Sequence, residues 1–202
     1  MLALVLDTET NGFPTDWNLD FSHTDNWPRI TQLSWVVVDA KSGYYFSKHN
    51  HIIKPDGWSV PTPDQLVGSK NPNFFVENNI STERCEKEGV PLIIALHFLM
   101  KDLSLCKLYI NHNLKFDYNV VVSEMERYNV YPEKDIQKLC TMETTKDLLQ
   151  LPGRGDFKLP SLQELHEYLF KTKFDGNHDA FADVKATADS FLELVRRGYY
   201  KI

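Results

Sequence analysis

The chain has 202 residues, a formal net charge of -6, 42% hydrophobic residues and 25% charged residues. That length fits one α/β domain with decorations, able to bury a core without staples. No stretch approaches the 18 or so apolar residues of a membrane span, and the acidic balance argues against a general nucleic-acid coat, whose footprint is basic. Cys85, Cys106 and Cys140 are scattered and form no CxxC pair. They argue against a disulfide framework or a zinc cluster and fit a reducing, cytoplasmic setting. The apolar run near Met1 has no basic flank and ends at an acid, so no secretory leader is expected.

In chain order, Leu2 to Leu6 is an apolar run stopped by DTETNG, which reads as a buried strand and a polar turn. Phe13 to Arg29 is irregular and polar, long for a loop, and loops of that length are usually functional or mobile. Ile30 to Asp39 is β-branched and aromatic, a central strand. Tyr44 to Ile53 is the returning arm of a hairpin across Gly43, which makes a three-stranded antiparallel meander. Lys54 to Asn79, rich in Pro and Gly, reads as mostly loop, with a short helix near Gln65 to Val67 or Phe74 to Glu77.

Ser81 or Thr82 caps a short helix that Gly89 ends. Pro91 opens another, with Leu92, Ile93, Ala95, Leu96, Leu99 and Met100 at helical spacing. Lys107 to Asn111 is a short strand, Phe116 to Tyr128 a helix, and Leu139–Cys140 a brief strand before a helix over Thr141 to Leu149. Ser161 caps a helix with Glu164 at the capping-box position. His178 to Arg197 is a long closing helix, ended by Gly198. Strands followed by alternating helices and strands predict an α/β fold, a mixed sheet flanked by helices.

The chemistry begins at Asp7 and Glu9. On a strand they share a face, about 6.6 Å apart at ~3.3 Å rise per residue, with Thr8 on the other face. Two carboxylates so placed repel unless a cation lies between them, and a hard divalent ion with oxygen ligands is the economical answer. Asp117 falls in the first turn of a helix that follows a strand, at the sheet edge where open α/β sheets carry their sites. Asp183 falls early in the last helix, with Asp179 as its expected cap and His178 just before.

DTETNG, HNLKFD and HDAFAD, in that order, resemble the motifs of the DEDD superfamily of 3′-to-5′ exonucleases. The His five residues before the last Asp marks the DEDDh, DnaQ-like branch. PRITQLSWVVVD, IIKPDGW and ISTERCEKEGVPL extend the likeness over nearly the whole chain. The resemblance implies an RNase H-like fold with a mixed five-stranded sheet. It implies a single exonuclease domain over residues 1–202, with insertions at 13–29 and 54–79. It implies that Asp7, Glu9, Asp117 and Asp183 hold two Mg²⁺ or Mn²⁺ ions and that His178 is the general base. The implied activity is hydrolysis from a single-stranded 3′ end, DNA favoured, releasing nucleoside 5′-monophosphates, with a polymerase in trans as the one protein partner considered. Two ions suit an in-line displacement at phosphorus, and a His with a pKa near ~6.5 can take a proton at neutral pH.

Further substrate contacts are expected from Thr8, Thr10, Asn11, Gly12, Phe13 and Asn113. Asn11, Gly12 and Phe13 would form a ledge and wedge for the terminal nucleotide, and Asn113 would fix the Asp117 loop by hydrogen bonds. His112 reads as structural. Trp35 reads as core, whereas Trp17, Trp27 and Trp58, in the long loops, are candidates for base stacking. Lys146, Arg154 and Lys158 are weaker candidates for phosphate contact. The sequence departs from the family pattern in the two extended loops, at Asn78–Asn79 where many relatives have His–Gly, and at Leu114–Lys115. Two rivals stay open: an RNA-trimming, oligoribonuclease-like enzyme, and a catalytically silent module that binds nucleic-acid ends or a polymerase.

Overall fold

The computed structural model describes residues 1–132, 135–176 and 179–202. Five strands form one mixed sheet: β1 (Leu2–Thr10), β2 (Ile30–Asp39), β3 (Tyr45–Ile52), β4 (Leu108–Asn111) and β5 (Gln137–Cys140). Their order across the sheet is β3-β2-β1-β4-β5. β1 and β2 pair antiparallel, as do β2 and β3, while β4 and β5 run parallel to β1. This is the RNase H-like arrangement.

β1 does not stop at Leu6. It runs on through the acidic residues to Thr10, because β2 continues beside it and pairs Asp7 with Ser34 and Glu9 with Gln32. A paired neighbour satisfies the backbone, so polar side chains are tolerated in the strand. A register shift between Glu9 and Thr10 ends the regular ladder.

Alternation along β1 and β2 divides the core into two layers. Leu4, Leu6, Leu33, Trp35 and Val37 face one side, and Ala3, Val5, Val36 and Val38 face the other. On the first side pack α3 (Leu92–Leu105) and α4 (Leu114–Tyr128), through Ala95, Leu96, Leu99, Val120, Val121 and Met125. On the second packs α8 (Ala180–Arg196), through Val184, Ala188 and Phe191. α7 (Leu162–Phe170) closes over α8 by Leu165 and Leu169 against Leu194. Its start is a complete capping box between Ser161 and Glu164.

The Lys54 to Asn79 stretch holds a 3-10 turn at Pro63–Leu66 and the one-turn helix α1 (Phe74–Glu77), so both helical options are used. Val60, Phe75 and Ile80 form its own small core. α2 (Thr82–Glu88) follows, capped by the Ser81 hydroxyl, which accepts from the Arg84 N–H. The helix expected over Thr141 to Leu149 is two short pieces, α5 (Thr141–Thr144) and α6 (Lys146–Leu149). Successive threonines explain the break. The hydroxyls of Thr144 and Thr145 donate back to the carbonyls of Cys140 (2.7 Å) and Thr141 (2.6 Å), and such back-bonding bends helices. No helix among the described residues is long and apolar enough to cross a membrane.

The Phe13 to Arg29 insertion is strapped to α4. The Asn26 side chain, buried, accepts from the Thr15 hydroxyl and the Asp16 N–H and donates to the Asp16 carbonyl. Ser123 donates to the Phe21 carbonyl at 2.8 Å, and Arg127 donates to the carbonyls of Thr24 and Trp27. Beneath these bonds the buried Glu124 carboxylate lies between Arg29 (2.8 Å) and Arg127 (3.2 Å). A carboxylate out of water needs such partners.

Candidate active site

The site grows from the alternation that built the core. Where β1 carries Ala3 and Val5 towards α8, the next residues on that face are Asp7 and Glu9. Their cross-strand neighbours are Ser34 and Gln32, and the β3 residue opposite Ser34 is Asn50. An apolar layer thus gives way to a polar one at the end of the sheet, and the N-terminal end of α8 lies over it. Asp183, in the first turn of α8, joins Asp7 and Glu9 there. One carboxylate oxygen from each of the three lies within 4.8 Å of the others.

Asp117 arrives from the opposite side. β4 pairs with β1 only from Ala3 to Val5, so β1 beyond Leu6 has a free edge. Asp117, in the first turn of α4, meets that edge, and its Oδ1 accepts from the Thr8 N–H at 3.0 Å and the Thr8 hydroxyl at 2.8 Å. Asn111, at the end of β4, donates to the Leu6 carbonyl. Side chains thereby replace the missing strand. Asp117 stands beside the three-carboxylate group and does not share its mutual 4.8 Å spacing.

Crowded negative charge at a desolvated site favours the protonated forms. Burial, then Asp117, Asp183, Glu9 and Asp179, raises the Asp7 carboxyl well above its usual range. Burial, then Asp183, Asp117 and Asp179, pushes Glu9 up to about 8. Burial raises Asp117 to about 7 against the lowering effect of the two Thr8 bonds. A divalent cation would relieve this repulsion, so the donor set fits a hard metal ion.

Asp179 caps α8 as expected. Its Oδ1 accepts from the N–H groups of Phe181 and Ala182, and its Oδ2 accepts from Gln32 Nε2 at 3.3 Å. Gln32 also donates to Asn50 Oδ1 at 2.9 Å. These two residues were not singled out from the sequence. The signal was present as polar Gln32 and Ser34 at the alternate positions that Val36 and Val38 continue as an apolar face. His178 lies outside the described residues.

The expected substrate residues divide. Thr8 and Thr10 are buried, their hydroxyls given to Asp117 and to the Gly12 carbonyl. The Asn11 side chain accepts from the Arg29 N–H and donates to the Ser59 carbonyl, tying both insertions to the end of β1. Gly12 has open space where a Cβ would point, and Phe13 is 71% exposed. Asn113 acts through its backbone. At φ 75° it adopts the left-handed conformation that Asn tolerates, its carbonyl accepts from Phe116, and its side chain makes no capping bond.

His112 is structural, its ring bridging Thr141 Oγ1 and the Pro160 carbonyl at 3.0 Å each. Trp27 is buried and unavailable to a base, and Trp58 packs into the core of the second insertion. Lys146 and Lys158 are paired with Asp156 and Glu164. A cavity of about 670 Å³ lies elsewhere, between α3, α4 and the β4–β5 edge, and holds none of the carboxylates.

The fold is an RNase H-like scaffold with a polar, acidic sheet end. The RNase T exonuclease family model matches residues 98–191, just under half of the chain. No curated protein sequence matches. Among solved structures, Escherichia coli exonuclease I in complex with a dT13 oligonucleotide is 18% identical, with a TM-score of 0.71 over 98% of this chain and 42% of that one. A second exonuclease I structure gives 18% and 0.72 with the same coverage. Cell-death related nuclease 4 is 15% identical, with a TM-score of 0.67 over 98% of this chain and 64% of that one. The chain therefore spans less than half the length of exonuclease I. The family match over residues 98–191 and the shared fold agree with the resemblance to DEDDh-type, DnaQ-like exonucleases.

Proposed function

We propose that this chain is a metal-dependent 3′-to-5′ exonuclease, one domain with insertions at 13–29 and 54–79, acting on single-stranded ends with DNA favoured. The observation that carries the reading is the convergence of Asp7, Glu9 and Asp183 from two distant segments to within 4.8 Å. Asp7, Glu9, Asp183 and the adjacent Asp117 would hold two Mg²⁺ or Mn²⁺ ions. When bound, the ions would polarise the scissile phosphodiester and stabilise charge on the departing oxygen. His178, five residues before Asp183, would take the proton of the attacking water. Thr8 holds Asp117 in place, and Gln32 and Asn50 hold the cap of the helix that carries Asp183. Exonuclease I has been seen in complex with dT13 and dA16 oligonucleotides, which supports the same class of substrate here.

The test is digestion of 5′-labelled oligonucleotides with Mg²⁺, Mn²⁺ or EDTA, on single- and double-stranded DNA and RNA. The reading expects a metal-dependent ladder shortened from the 3′ end and abolished by Asp7→Ala. Faster cleavage of RNA would correct the substrate to an RNA-trimming one. Metal-independent binding without cutting would leave a silent end-binding module.

A further inference from the structure

The open edge of the sheet carries a second group of ligand-type side chains. β3 is an edge strand, paired to β2 on one side and to no strand on the other among the described residues. His49 and His51, two positions apart, share its face towards α3, opposite Trp35 and Leu33 of β2. Asn50 between them points to the other face, where it meets Gln32 and Ser34. The two histidines therefore lie across the sheet from Asp7 and Glu9.

Three contacts set the rings in place before any ligand arrives. His49 lies flat on the buried Trp35, with centroids 4.4 Å apart and planes inclined by 12°. Phe98 of α3 stacks against both histidines, 5.8 Å from His49 and 6.3 Å from His51. His49 Nε2 faces Asp102 Oδ2 at 3.4 Å, and that buried carboxylate also accepts from Trp35 Nε1 at 2.9 Å and Ser47 Oγ at 2.7 Å. With its Nε2–H turned to the carboxylate, the neutral His49 ring carries its lone pair on Nδ1. Nδ1 faces His51 Nε2, 3.4 Å away.

Distance decides between two uses of that gap. Hydrogen bonds from a ring N–H are best near ~2.9–3.0 Å, so a bond across 3.4 Å is weak. A tetrahedral ion ~2.0–2.1 Å from each imidazole sets the two nitrogens about 3.3–3.4 Å apart. The gap has the second spacing. Imidazole suits zinc and its neighbours in the transition row, whereas the carboxylate set suits hard ions. A carboxylate behind a ligating histidine fixes its tautomer and raises its basicity, and Asp102 stands in that position.

We propose that His49 and His51 are the protein ligands of a zinc-type divalent ion on the open edge strand, with Asp102 as the positioning residue behind His49. Water fills the remaining positions. The ion is separate from those of the carboxylate cluster, and the proposal stands whether or not the chain is a nuclease.

The test is calorimetric titration of the whole chain with Zn²⁺, in wild type, His51→Ala, His49→Phe, Asp102→Asn and His97→Ala. Zinc-edge anomalous diffraction of the wild type places the ions. His49→Phe keeps a ring on Trp35 and removes both nitrogens. His97, exposed on α3 with Nδ1 at the Ile93 carbonyl, is a histidine outside the pair. His51→Ala and His49→Phe should each bind one Zn²⁺ fewer than wild type. Asp102→Asn should weaken that ion about 10- to 100-fold, and His97→Ala should change nothing. A zinc peak should lie ~2.0–2.1 Å from His49 Nδ1 and His51 Nε2. Circular dichroism checks that the variants are folded.

Equal stoichiometry in wild type, His51→Ala and His49→Phe overturns the proposal. So does a zinc peak at the carboxylates alone, or an equal loss with His97→Ala, which would mark an adventitious surface ion. Full affinity in Asp102→Asn, with the ion still lost in His51→Ala, would overturn the role of Asp102 alone.

Discussion

Asp117 and Thr8, 109 positions apart, are joined twice: one carboxylate oxygen accepts from the threonine's N–H at 3.0 Å and its hydroxyl at 2.8 Å. The pair exists because β4 is short. It leaves β1 an unpaired edge, and the first turn of α4 fills it. Thr8→Val keeps the shape and removes the hydroxyl bond. The variant should lose about 1–2 kcal/mol in urea unfolding. Without that bond the Asp117 carboxyl rises further, so Mn²⁺ affinity at pH 6.5 should fall, read by titration calorimetry. Unchanged stability and affinity would show that the bond does not hold the carboxylate.

The carboxylates set a pH dependence of known sign. Glu9 rises from 4.5 to about 8, so between those values the folded protein binds more protons than the unfolded chain. Stability without metal is therefore full below about pH 4.5 and falls as pH rises towards 8. In EDTA the melting temperature should drop across that window, and Mg²⁺ should restore it most at the alkaline end, with protons released on binding. A melting temperature that rises with pH in EDTA would contradict this.

Glu124→Gln leaves Arg29 and Arg127 without their shared anion. Breaking a buried pair by removing one partner costs about 3–5 kcal/mol. The variant should also be nicked faster by protease within 13–29, because the strap to α4 is loosened. Cleavage elsewhere at an unchanged rate there would refute the strap.

Gln32→Ala removes the donor that ties Asp179 to Asn50. The N-terminal turn of α8 loses a tether, so turnover should fall while far-ultraviolet dichroism stays the same. Gln32→Asn, too short to span both partners, should behave alike. Full activity in both would mean that the tether does not position Asp183.

Much of this was legible because alternation is a strict rule. Leu4 and Leu6 against Ala3 and Val5 assign two faces, and Asp7 and Glu9 follow the second face without exception. The Ser161–Glu164 box and the Asp179 cap were readable because capping is local. What was not legible depends on neighbours far along the chain. β1 continues to Thr10 only because β2 is there to pair with it. Trp27 is buried because Phe116 and Arg127, far along the chain, pack against it, and nothing near Trp27 distinguishes it from Trp17. Asn113 was expected to fix the Asp117 loop by hydrogen bonds, and it does so through its carbonyl, at a left-handed backbone angle that sequence reports only as a tolerance. Asp117 was expected beside Asp7, Glu9 and Asp183, but its approach through Thr8 depends on the short β4 and could not be read from its neighbours in the sequence.

The role of His178 is tested by kinetics. His178→Ala should slow single-turnover cleavage by about 10²–10⁴-fold at neutral pH while Mn²⁺ binding is kept. A wild-type rate would remove it as the base.

The central claim is that Asp7, Glu9 and Asp183, with Asp117 beside them, form a cation-binding cluster at the end of the sheet. Anomalous diffraction from crystals grown in Mn²⁺ tests it most directly. The account predicts manganese peaks within coordination distance of these carboxylates and their loss in Asp183→Asn. A well-ordered site with no manganese between those oxygens would contradict it.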